Sequence, residues 1–304
     1  MQYINNSETL SGFEGEIDLR DLLSVLWAGK IKILAITTMF AIASVFYALS
    51  IPNQYKASAL LASAKYESSG LSGSLGQLGG LASLAGVNLN SGGNGEIEIA
   101  KSIMVSWNFI EGFIENNNLA DELVAVEGWN QQSNELQINK DIYDAQNQRW
   151  LVDKPTSWSL YKSFSSKLSV SETNSGFLSI SIEHYSPYLA KQLLDLYISA
   201  INKHMQQLQV TKVNNNINYM QEQLKRTSIA EMQEVFYSII EEQIKNKMLA
   251  EASPDYAFVA VNASMLPEEK SQPKRAIICI GITLFGGILS VFLVLLMHYV
   301  RKTN

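Results

Sequence analysis

Apolar residues in this chain gather into two uncharged runs, one near each end, with patterned amphipathic sequence between them. Ala276 to Val300 is twenty-five residues without a formal charge. At ~1.5 Å per helical residue this reaches beyond a ~30 Å hydrocarbon core, which predicts a tilted membrane span. Ile33 to Ile51 gives nineteen uncharged residues, close to the minimum for a second span. An acidic segment with Glu14, Glu16, Asp18 and Asp21 precedes it, and no convincing small-x-small cleavage site follows. It therefore reads as a retained anchor and not as a secretory signal.

Helical and strand periodicities organise the remainder. In "EIDLRDLLSVLWAGK", Leu19, Leu22, Leu23, Leu26 and Trp27 fall on one helical face, with Asp18 placed to cap. Such a helix ahead of a span suits the interface, with Trp27 at headgroup depth. Tyr55–Lys65 reads as a strand. Residues 68–95 are glycine- and serine-rich with spaced leucines, a partly packed loop. Residues 96–127 read as helix on the stripe Ile103, Trp107, Ile110, Phe113 and Ile114, and residues 133–148 as a more polar helix. Leu168 and Val170, then the turn "TNSG", then Leu178, Ile180 and Ile182 predict a hairpin. Ser186 and Pro187 open a helix whose pattern runs on to about Glu251. Its middle, "VTKVNNNINYMQEQLKRTS", is too polar for a monomer core, so it is solvated or packed on another subunit. "PDYAFVAVNASML" reads as a returning strand.

Two spans leave both termini on one side and residues 52–275 on the other, enough chain for one domain with a real core. The expected partition is 1–30 as an N-terminal segment, 31–51 and 276–300 as spans, and 301–304 as a tail. Lys30 and Lys32 flank the first span, and Arg301 and Lys302 the second, which makes the termini cytoplasmic. Lys274 and Arg275 oppose that orientation, but long loops cross largely regardless of charge. The single cysteine, Cys279, lies in the second span, so no intrachain disulfide forms. The net charge of −6 argues against nucleic acid or anionic lipid as the main partner of the large domain.

Catalytic chemistry finds little support. His184, His204 and His298 share no ligand spacing. Gly73, Gly76 and Gly79 are regularly spaced, but the lysine and hydroxyl that a phosphate-cradling loop needs do not follow. Glu241 with Glu242, and Glu268 with Glu269, are neighbours that cannot face each other on a helix. They read as solvated charges, and a glycosidase-type pair drawn from distant residues stays open. In the second span Gly286 and Ser290 form a small-xxx-small pair, with Gly281 and Gly287 beside it, which suits close helix packing or is simply membrane-helix composition.

The ordered set of segments resembles a known family. "EIDLRDLLSVLWAGK" before a span, "NQYKASALL" after it, "SWNFIEGFIENNNL", "GFLSISIEHYSPYLAKQLLDLYISAINKHM" and "SPDYAFVAVNASMLPEEKSQPKRAI" resemble the Wzz-type chain length determinants, polysaccharide co-polymerases of Gram-negative inner membranes. The family often carries prolines at three-residue intervals before the second span. Here Pro267 and Pro273 keep that spacing, but Lys270 stands between them. Three residues is the polyproline II repeat, so such prolines would stiffen an extended approach to the membrane. Lys274 and Arg275 would then sit at the headgroups, as contacts or as simple span flanking.

The resemblance implies an α+β membrane protein. Two transmembrane helices would flank a large periplasmic α/β domain with a small sheet near the membrane and a very long helix. It implies a homo-oligomeric ring or bell, no enzymatic activity and no cofactor. The implied function is to set the modal length of lipopolysaccharide O-antigen together with the O-antigen polymerase. Further implied partners are membrane lipid and the growing lipid-linked polysaccharide. A co-polymerase for enterobacterial common antigen or capsule, and a membrane-anchored glycan hydrolase, are the alternatives. A kinase-coupled co-polymerase or a two-span sensor would need a cytoplasmic module, and neither is expected from a chain ending "HYVRKTN".

Overall fold

The computed structural model describes residues 19–64 and 92–303, with side chains from 23 to 64 and 97 to 300. Asp18, the glycines at 73, 76 and 79, and the side chains of Leu19 and Leu22 lie outside the described residues. The chain divides into two compact units, residues 52–272 and the paired terminal segments 1–51 and 273–304.

The terminal unit holds α1 (Leu19–Ser50) and α8 (Arg275–Thr303). The other unit is built on an antiparallel sheet. Its strands are β1 (Gln54–Ser63), β6 (Leu168–Glu172), β7 (Leu178–His184) and β8 (Phe258–Asn262), in the order β6-β7-β1-β8. A short strand β9 (Lys270–Gln272) pairs with β1 at Gln54 and Tyr55, on the edge that β8 occupies further along.

Period-two burial decides the sheet's core face. Ala57, Ala59 and Leu61 point inward from β1, as do Leu178, Ile180 and Ile182 from β7. On that face lies α6 (Pro187–Arg226), with Leu193, Leu194, Tyr197 and Ile201 fully buried. The two alanines keep β1 low, which leaves room for the large residues of α6. Ser186 caps α6 by accepting from the Leu189 N–H, and Pro187 supplies the first turn. The hairpin between β6 and β7 turns on Gly176, whose φ of +79° suits glycine.

Three regions differ from expectation. Residues 96–127 form three helices and the start of a strand. α2 (Gly92–Met104) begins inside the glycine-rich segment read as loop. α3 (Trp107–Asn116) starts afresh because Ser106 accepts from the Phe109 N–H. α4 (Ala120–Val124) follows Asn118, which has a φ of +53°. The Ser106 cap and the positive φ at Asn118 interrupt a stripe that periodicity alone reads as continuous.

Residues 133–148 are not helical. They contain β3 (Glu135–Ile138), paired with β2 (Val126–Asn130), and β4 (Tyr143–Asp144), paired with β5 (Arg149–Trp150). The Asn130, Asn139 and Asp144 side chains accept from backbone N–H groups two or three residues on, and Asn134 and Gln148 sit at positive φ. Asx turns of this kind compete with helix directly.

Finally, the helical pattern from 187 to 251 is two helices. α6 ends at Arg226 and α7 (Ala230–Ala252) returns alongside it, so that Gln206 donates to the Ala250 and Ser253 carbonyls. Even so, α6 alone has forty residues, ~60 Å of helix. The remaining helix, α5 (Ser157–Lys167), is capped by Thr156 and packs on α3 and α4.

Candidate functional site

Two helices in the terminal unit, over Leu23–Ser50 and Arg275–Val300, are long and apolar enough to cross a membrane. α1 runs from Leu19 to Ser50 without interruption, so the lead-in residues Leu23, Leu26 and Trp27 belong to the same helix as the apolar run. Trp27 is exposed, with the Lys30 ammonium 4.7 Å from its ring centroid. α1 and α8 pack on each other through small residues. A Cβ on Gly286 would lie 2.5 Å from Phe40 Cβ, and one on Gly29 would collide with Val294. Ser290 is buried, with its Oγ 3.4 Å from Thr37 Oγ1. Gly287 comes close to Thr37, whereas Gly281 faces open space. Of the four small residues singled out in α8, Gly286 and Ser290 thus meet α1 most closely.

The segment before α8 is extended. Lys270 lies in β9 opposite Tyr55, so the position between the two prolines is held by a strand pairing. Pro273 stands two residues before α8, and its carbonyl accepts from the Arg275 N–H. The Lys274 carbonyl accepts from Ile277 and Ile278, which places Lys274 at the start of α8.

The far part of the α6–α7 hairpin carries few buried residues. Core contacts along α6 stop at Met205, apart from Val213, and α7 buries only Ile240 and Ala250. Tyr219, Ile229, Val235, Tyr237, Met248 and Leu249 are all exposed. Scattered single apolar residues are ordinary on a surface, but this many on one helical hairpin suit an interface. No periodicity rule singles them out, because their exposure depends on where the sheet ends.

A buried titratable cluster closes the C-terminal end of α4. Lys167 Nζ and Ser163 Oγ both donate to the Leu123 carbonyl, at 2.9 and 3.1 Å. His184 Nδ1 accepts from the Ser186 N–H, so its Nε2–H is the donor to the Glu122 carbonyl at 3.1 Å. Burial, and then the Lys167 charge, hold the His184 pKa down to about 4. Burial lowers Lys167 to about 8, and burial followed by the Asp121 charge raises the Glu122 carboxyl. The donors are spent on carbonyls that a helix end leaves orphaned, a structural use of these side chains. Among the described residues, no three His, Cys, Asp or Glu side chains gather as a metal site would require.

Comparison with known proteins finds one family. The family model described as Wzz, chain length determinant protein, matches residues 15–116, which run from the lead-in to α1 through the end of α3. No curated protein matches. Among solved structures, a full-length bacterial polysaccharide co-polymerase is similar at 17% identity with a TM-score of 0.40, covering 94% of this chain and 99% of that one. A fragment of WzzB, polysaccharide co-polymerase from Salmonella Typhimurium, is similar at 16% identity with a TM-score of 0.32, covering 72% of this chain and 100% of the fragment. Neither likeness carries an argument about function. Residues 15–116, about a third of the chain, match the model of the Wzz chain length determinant family.

Proposed function

We propose that this chain is a non-enzymatic regulator of lipopolysaccharide O-antigen length, working as a homo-oligomeric scaffold beside the inner-membrane polymerase. The match to the chain length determinant family over residues 15–116 carries this reading. The arrangement of a span, a large domain and a second span supports it. On this reading α1 and α8 anchor the chain in the inner membrane with both termini in the cytoplasm, and residues 52–275 occupy the periplasm. Pro267, Pro273, Lys274 and Arg275 form the approach to the second span, and Leu19, Leu22, Leu23, Leu26 and Trp27 the lead-in to the first. Gly281, Gly286, Gly287 and Ser290 form the small-residue packing stripe of the second span. The exposed apolar residues of the α6–α7 hairpin supply a contact surface between copies.

The test is gel electrophoresis of lipopolysaccharide from cells with and without the gene. Loss of a modal cluster, with polymer still made but random in length, is the expected result. An unchanged ladder with a changed length of common-antigen or capsular polymer would move the target to that glycan. No length change in any surface polysaccharide would overturn the reading.

A further inference from the structure

An exposed aromatic ledge beside a polar cleft lies on the α3–α5 face of the 52–272 unit. Trp107 opens α3, and Trp158 and Tyr161 stand one helical turn apart on α5. The two indoles meet edge to face with centroids 5.9 Å apart, and Trp158 and Tyr161 are 5.4 Å apart with planes inclined by 32°. Trp158 is 59% exposed and Trp107 46%. Two of the three polar edges are already held. Trp107 Nε1 donates to Ser157 Oγ at 2.8 Å, and the Tyr161 hydroxyl donates to the Val105 carbonyl at 3.2 Å. Trp107 and Tyr161 are therefore fixed in place, and Trp158 packs against both with its own surface left largely to solvent, a preorganised platform that loses little entropy on binding.

The ledge adjoins a cleft of about 420 Å³, within the ~300–1,000 Å³ usual for small-ligand sites. Ser157, which holds Trp107, lines the cleft. So does Glu111, one turn along α3 from Trp107, together with Glu115, Asn118 and Lys154. Among the described residues none of these charged side chains is engaged in an ion pair.

We infer that this face is a glycan-binding subsite, in which a pyranose ring lays its C–H face on Trp158 and directs its hydroxyls into the cleft. An apolar protein partner would need a wide dry patch, and here the aromatic faces are bordered by carboxylates, an amide and an ammonium. A sugar presents the matching mixture, an apolar ring face with donors and acceptors at its edge. Glu111 and Glu115 against Lys154 leave the cleft with one excess negative charge. That sign favours neutral or amino-sugar segments and opposes polymers rich in uronic acid. The inference deepens the proposed function by giving the scaffold a direct hold on the polymer, and it rests on that reading for its biological occupant.

The test is titration calorimetry on the full chain in detergent micelles. The probes are delipidated polysaccharide from the producing cells, a neutral glucan oligosaccharide and an alginate oligosaccharide. Binding of the cells' own polysaccharide or of the glucan is expected, with alginate markedly weaker. Trp158→Ala should weaken binding by roughly tenfold or more, as loss of an anchoring tryptophan does. Should Trp158→Ala not fold, Glu115→Lys is the second variant, and it should narrow or reverse the discrimination against alginate. Wild-type affinity in Trp158→Ala, unchanged discrimination in Glu115→Lys, or no binding of any probe by the wild type would overturn the subsite. If gene deletion alters polymer length while these variants bind as wild type, only the subsite fails. If deletion alters no polymer, the functional reading fails whatever the cleft binds.

Discussion

Asn202 and Phe258 are joined at both ends of one peptide register. From the buried face of α6, Asn202 Nδ2 donates to the Phe258 carbonyl at 2.9 Å, and Asn202 Oδ1 accepts from the Phe258 N–H at 2.8 Å. The same oxygen takes the Ala257 N–H at 3.0 Å. Both residues are buried, so one amide side chain acts as the missing neighbouring strand for the start of β8. This is what ties the returning chain to the long helix.

Removing it leaves buried backbone groups unpaired. Asn202→Ala is expected to cost about 3 kcal/mol, since each buried group without a partner costs about 1–3 kcal/mol. Urea unfolding of the detergent-solubilised chain, followed by circular dichroism, measures it. A loss below about 1 kcal/mol would show that water takes over these bonds.

Gly286 sets how closely α8 approaches α1. A leucine there would drive its Cβ into Phe40, and overpacking of this kind costs about 1–3 kcal/mol. Cys279 is the only cysteine, and its Sγ lies 3.8 Å from the Ser44 carbonyl oxygen. Oxidising a Ser44→Cys variant should therefore cross-link the two spans, and adding Gly286→Leu should reduce the yield on non-reducing gels. Equal yields would mean that the helices do not pack through Gly286.

The His184 cluster makes stability depend on pH. His184 has a folded pKa of about 4 against a usual value of 6.5. Between those two values the unfolded chain binds the proton more readily, so this group's contribution is present above pH 6.5 and is lost as pH falls toward 4. The loss is on the order of 3 kcal/mol over that window. The raised Glu122 carboxyl acts with the opposite sign above pH 4.5, so the comparison must be against His184→Gln. The wild-type minus variant difference in unfolding free energy should shrink as the solution is acidified from pH 7 to 4. A flat difference would place His184 in contact with water.

The α6–α7 hairpin is expected to be a contact between copies. Val235→Glu and Tyr237→Glu place carboxylates at exposed apolar positions of α7. They should leave the fold intact, lower the assembly mass on native gels and broaden the polysaccharide ladder. Unchanged mass and ladder would locate self-association elsewhere.

Wherever burial follows a regular period, the sequence by itself was sufficient. Ala276–Val300 and Ile33–Ile51 stand out because no charge interrupts them. The β6–β7 hairpin stands out because Leu178, Ile180 and Ile182 alternate around a turn that needs Gly176. The start of α6 is legible at Ser186-Pro187, where cap and first turn are local chemistry. The tertiary structure decided what local pattern leaves degenerate. Residues 133–148 became strands because Asx turns and cross-strand partners outcompeted a weak helical preference. The long helical pattern folded back at Thr227–Ile229, where no proline or glycine marks a stop, since a returning helix buries Ile240 and Ala250 that a straight one would expose. Asn202, an unremarkable polar residue in sequence, became a central bond because a strand that follows some fifty residues later begins beside it. The Trp107–Trp158 ledge likewise joins residues fifty positions apart, and only packing of α3 on α5 brings them together.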